Sequence, residues 1–154
     1  MKPIKKIVYC TDFSENSKAA FEVALDLAQK YKAKLFLLHV VPPLVFPSPV
    51  MEEFITEQTH LQFTHDVIKG SMEQIEKTFV KKLGAFSDYE VKILNGHPSS
   101  EILRFLEDHS ADLVVMGTHG LTGLAHFFLG STAEKVVRRA PCSVLTIKER
   151  TTKK

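Results

Sequence analysis

The chain has 154 residues, 44% hydrophobic and 25% charged, with seven glycines and seven prolines. One domain of ordinary size, roughly 100 to 150 residues, takes up nearly all of that length, and the composition is globular rather than disordered or collagen-like. Twenty basic against eighteen acidic residues leave a formal charge of +2, so no strong field advertises nucleic acid or an anionic membrane as a partner.

Ile4 to Cys10 contains a short apolar run rich in β-formers, stopped by Thr11 and Asp12. It reads as a strand. The run is too short for a secretory leader, whose core needs about 7 to 15 apolar residues. Ser14 then precedes a stretch with Ala20, Phe21, Ala24, Leu25, Ala28 and Tyr31 at helical spacing. Leu35 to Val41 is almost wholly apolar, as a strand covered on both faces should be, and prolines at 42, 43, 47 and 49 end it. An irregular loop is expected from Pro42. From about Met51 to Leu83 the pattern becomes helical, with Gly70 marking a break and Gly84 a stop.

Tyr89 to Leu94 alternates like a strand, and Pro98 opens a helix over Ser99 to His109. Leu113 to Met116 is a further buried strand. Ser131 to Glu134 has the spacing of a capping box at the start of a helix reaching Arg139, and Val144 to Ile147 supplies the last strand after Pro141. The order β-α-β-α-β-α-β-α-β implies a parallel sheet with helices on both faces. The fold class is α/β, with one domain over residues 1–150 and a basic tail at 151–154. The uncharged stretches Leu35 to Met51 and Leu113 to Ala133 are broken by prolines and glycines, so neither reads as a membrane span.

In such sheets ligands bind beyond the carboxyl ends of the strands, where the strand order reverses. With order 3-2-1-4-5 that point lies between strands one and four. The segments leaving it are Cys10 to Ser14 and Gly117 to Gly123, the latter running on to Gly130 and Ser131 at a helix start. Glycines let backbone amides approach an anion, and a helix N-terminus favours one. The glycines equally make turns, and the spacing is neither GxGxxG nor GxxxxGK[ST]. Asp12 reads as a helix-entry residue or a metal ligand. Ser131 could cap its helix or face a phosphate, and His119 could do the latter or face solvent. His60 and His65, five apart, do not share a helix face. Cys10 and Cys142 lack CxxC or histidine-rich spacing and read as buried thiols in a reducing cytoplasm.

Gly117-Thr118-His119-Gly120, nine residues, then Gly130-Ser131 resembles the G-x2-G-x9-G-[ST] ATP-binding motif of the universal stress protein family. Thr11-Asp12-Phe13-Ser14 resembles its signature after the first strand, and Ala140 to Leu145 is similar to its closing strand. The resemblance implies a Rossmann-like three-layer α/β/α fold with five parallel strands, ATP and magnesium as ligands, and a homodimer joined through strand 143–147. It also implies roles. Asp12 would sit by the phosphates and magnesium, directly or through water, and Val40 beside the adenine. Met116 and Gly117 would offer backbone contacts to adenine and ribose, while Gly120, Gly130, Ser131 and Thr132 cradle phosphates. Cys10, Thr11 and His119 complete the set of candidate nucleotide-binding residues. Cys10 stands where the family often has proline or another small residue, and Thr146 where an aliphatic residue is common. The expected function is nucleotide-dependent signalling in the stress response. The alternative is a slow ATPase or a phosphoryl- or adenylyl-transferring enzyme on the same scaffold, for which only His119 and His126 are nearby candidates.

Overall fold

The computed structural model describes residues 2–119 and 129–149. Five strands, β1 (Lys6–Thr11), β2 (Lys34–Val41), β3 (Tyr89–Asn95), β4 (Leu113–Gly117) and β5 (Ser143–Ile147), pair in parallel in the order β3-β2-β1-β4-β5. The helices are α1 (Glu15–Tyr31), α2 (Pro49–Glu53), α3 (Glu57–Thr78), α4 (Pro98–Asp108) and α5 (Ser131–Arg139), with a 3-10 turn at Val80–Lys82. The expected α/β class and strand order are therefore the observed ones.

Alternation along the strands divides the core into two layers. Ile7, Tyr9, Leu35, Leu37 and Val115 face α1 and the C-terminal end of α3, where Phe21, Ile75 and Phe79 are fully buried. Tyr9 meets Phe21 and Phe79 edge-on, with ring centroids 5.5 and 5.4 Å apart. Such pairs add about 1 kcal/mol each beyond their burial. Val8, Cys10, Phe36, Leu38, Val40, Val114 and Met116 face α4 and α5 on the opposite side.

Three local expectations are corrected. The helical segment after the prolines is two helices, because Ser48 caps through its hydroxyl and Pro49 takes the first turn of α2, where a missing N–H costs nothing. α3 passes through Gly70 without a break. A glycine costs about 1 kcal/mol in a helix, and Ile75 and Phe79 hold the far end of this one in the core. Finally, α5 is capped by Gly130, with Ser131 as its first residue. The pattern Ser131 to Glu134 is thus one position out of register for a capping box. The cause is local: Gly130 N–H donates to Thr118 O at 2.7 Å, and Gly130 O accepts from Glu134 N–H at 2.9 Å, so the helix begins at the loop closure.

The two sheet edges differ. On β3, Glu90 pairs with Lys34 at 3.0 Å and with Lys92 at 2.5 Å, and these ammonium groups hold its carboxyl down at about 2. β5 carries no charged residue over Ser143–Ile147. Ile147 O accepts from Thr118 N–H at 3.0 Å, and Glu149 N–H donates to Asn16 Oδ1 at 2.8 Å. The end of β5 is thereby tied to the start of the glycine segment and to the first turn of α1.

Candidate functional site

A cleft of about 370 Å3 opens at the carboxyl ends of β1, β2 and β4, within the range of roughly 300 to 1,000 Å3 usual for small-molecule sites. Leu38, Val40 and Pro42 from the β2 side, with Pro98 and Ile102 of α4, make one side mainly apolar. Thr118, His119, Gly130, Ser131 and Thr132 make the side towards α5 polar, and Cys10, Thr11 and Asp12 at the end of β1 lie between.

The β1–α1 turn is held by its own side chains. Asp12 Oδ1 accepts from Ser14 N–H at 3.0 Å, and Phe13 N–H donates to Thr11 Oγ1 at 3.0 Å. Ser14 Oγ accepts from Ser17 N–H at 3.3 Å, capping α1, and donates to His119 O at 3.5 Å, which joins the turn to the start of the glycine segment. Phe13 takes a left-handed conformation, φ 65°, unusual for a bulky residue. On β2, His39 Nδ1 lies 2.7 Å from Thr11 O. Burial holds this imidazole below its ordinary value, partly opposed by that hydrogen bond and by Asp12. Burial also raises the Cys10 thiol, so the sulfur stays protonated and unreactive at neutral pH. Cys142 is half-buried, and burial raises its thiol as well.

Gly117 has a structural reason to be glycine. A Cβ there would come within 2.9 Å of the backbone at Asn16 and Ser17. β4 and the first turn of α1 therefore pack main chain against main chain.

Of the residues singled out in the sequence, Cys10, Thr11, Asp12, Val40, Met116, Gly117, His119, Gly130, Ser131 and Thr132 all line this cleft. Gly120 and His126 lie outside the described residues. The sequence reading missed His39, Ser17, Thr118, Pro42, Pro98 and Ile102. His39 had a visible signal, being the only polar residue in the apolar run Leu35 to Val41. Ile102 looked like any core residue of its helix. His60 sits 6.2 Å from the Phe46 ring and His65 3.6 Å from Asp66, and no group of three metal-ligating side chains occurs among the described residues.

An open parallel sheet whose strand order reverses beside β1, with a cleft at that reversal between a strand-end acid and a helix N-terminus, defines a Rossmann-like α/β protein. The family model for the universal stress protein family matches residues 3–148, and the chain belongs to that family. Universal stress protein MJ0531 of Methanocaldococcus jannaschii is 37% identical over 152 residues, covering 94% of this chain and 82% of that protein. UspA from Lactobacillus plantarum superposes with a TM-score of 0.74 at 27% identity, over 96% of this chain and 99% of that one. A universal stress protein in complex with cAMP superposes with a TM-score of 0.60 at 27% identity, over 95% and 98% of the two chains. No helix among the described residues is long and apolar enough to cross a membrane.

Proposed function

We propose that this chain is an ATP-binding stress-response protein that acts as a homodimer. The observation that carries the nucleotide reading is the cleft itself, where an apolar side fit for a base faces the N-terminus of α5, whose cap Gly130 brings no side chain to fill the place of an anion. A family member at 27% identity is in complex with cAMP, which supports a nucleotide as the ligand class. In this arrangement Val40, Leu38 and Ile102 shield the base from water, and the amides of Ser131 and Thr132 meet the phosphates. Asp12, at the mouth of the same cleft, is the hard oxygen donor suited to magnesium, directly or through its water shell. Magnesium would supply neutralisation of phosphate charge.

To test this, protein purified without added nucleotide is heated and the supernatant chromatographed. ATP released in near-stoichiometric amount supports the reading. ADP or AMP points to the hydrolytic alternative, and no nucleotide, together with no ATP binding by calorimetry, overturns the reading.

The homodimer rests on β5, an uncharged strand at the sheet edge. Ile147 turns its carbonyl to Thr118 beyond β4, and successive residues of a strand present their backbone groups to opposite sides. Val144 and Thr146 therefore aim theirs at the open edge. Val144→Pro should give a folded monomer by light scattering, while Leu145→Pro, which removes a donor facing β4, should misfold. A folded Val144→Pro dimer would place the interface elsewhere.

A further inference from the structure

His39 lines the cleft wall from β2, and its hydrogen-bond geometry fixes which ring nitrogen carries a hydrogen. The Thr11 carbonyl can only accept, so the Nδ1 atom 2.7 Å away must carry the hydrogen. The same ring lies 4.7 Å from the ring of Phe13, which is in turn stacked on Phe79 at 6.2 Å. One imidazole thus grips the residue before Asp12 through its backbone and the residue after it through its ring. Phe13 is also the residue at positive φ, a conformation that persists only where its surroundings enforce it.

We infer that His39 is the positioning residue for Asp12: it clamps Thr11 and Phe13 so that the carboxylate between them is presented to the cleft in one fixed orientation. This rests on the nucleotide reading above for what Asp12 meets, but the clamp itself is a property of the free protein. Burial favours the uncharged form of its ring. Groups that orient a metal-binding carboxylate commonly change metal affinity by about tenfold or more when removed.

Two variants separate the two grips. His39→Phe keeps an aromatic ring against Phe13 and loses the donor; His39→Asn keeps a donor and loses the ring. In the ligand-free protein, His39→Phe should speed amide hydrogen exchange at Phe13 and Ser14 while leaving Ile7 to Tyr9 in β1 protected. Calorimetry with ATP should show affinity reduced about tenfold in magnesium and little changed in chelator, with His39→Asn partly restoring it. In an Asp12→Asn background His39→Phe should cost nothing further, since the two act through one group. A general loss of folding would instead lower affinity alike with and without magnesium, and additively with Asp12→Asn. Either of those results overturns the proposal, as does unchanged exchange at Phe13 and Ser14. If the wild-type protein binds no ATP, the nucleotide reading fails by that result alone, and the exchange measurement still decides the clamp.

Discussion

Two helices begin at the same cleft, and their N-termini are built in opposite ways. α1 starts behind a turn in which Asp12 and Ser14 satisfy the backbone amides of Ser14 and Ser17. Its first turn also lies against Gly117 of β4 with no room for a Cβ between them. α5 starts at Gly130, with no side chain at the cap and a backbone carbonyl, Thr118 O, holding the glycine in place. An N-terminus leaves amides that need acceptors and carries a partial positive charge. Where side chains provide the acceptors, the helix end is a piece of scaffold; where the described residues offer no side-chain cap, the end is open to whatever enters the cleft. The same sheet thus fixes one N-terminus and reserves the other.

Exchanging the properties of the two ends tests that contrast. Gly130→Val should have the largest effect. Gly130 has φ −69° and ψ 162°, which valine adopts readily, so the fold should survive by circular dichroism. The branched side chain would displace phosphate from the amides. Losing hydrogen bonds to a charged group costs about 3 kcal/mol, roughly a hundredfold in ATP affinity by calorimetry.

Gly117→Ala strikes the other end. The added methyl meets main-chain atoms of Asn16 and Ser17 at 2.9 Å, and overpacking of this kind costs about 2 kcal/mol. Urea denaturation should show a lower midpoint. A midpoint equal to wild type would mean that α1 moves freely against β4.

Asp12→Asn keeps the size and removes the charge. ATP affinity should fall about tenfold in magnesium, with little change in chelator; equal losses in both would make Asp12 a purely structural part of the α1 turn. Smallest is Ser14→Ala, which deletes the α1 cap and should cost about 1 kcal/mol of stability by thermal melting. ATP affinity should stay within about twofold of wild type. A larger loss of binding than of stability would show that α1, too, serves the ligand.

The strands and their order were readable because parallel crossovers leave few topologies for a β-α alternation, and because Leu35 to Val41 and Leu113 to Met116 are apolar on both faces. The switch point followed from that order, which is why the chosen residues converge on one cleft. What escaped was set by tertiary contacts. Gly70 looks like a break, yet the helix around it is anchored beyond it at Ile75 and Phe79. Ser131 looks like a cap, yet closure of the loop through Thr118 moves the cap to Gly130. His39 carries its site role through a strand pairing, Thr11 opposite His39, that no local pattern encodes.

The unequal edges of the sheet also bear on how far assembly can run. A pair joined back to back at β5 would present a β3 on each outer margin, where Glu90 pairs with Lys92 and with Lys34 of the neighbouring β2. Another strand seeking the ladder there would have to strip charged groups of water and find partners for them. Growth would have nowhere to continue, and such an edge-joined pair would be a terminated object, protected from the open-ended stacking that builds fibres.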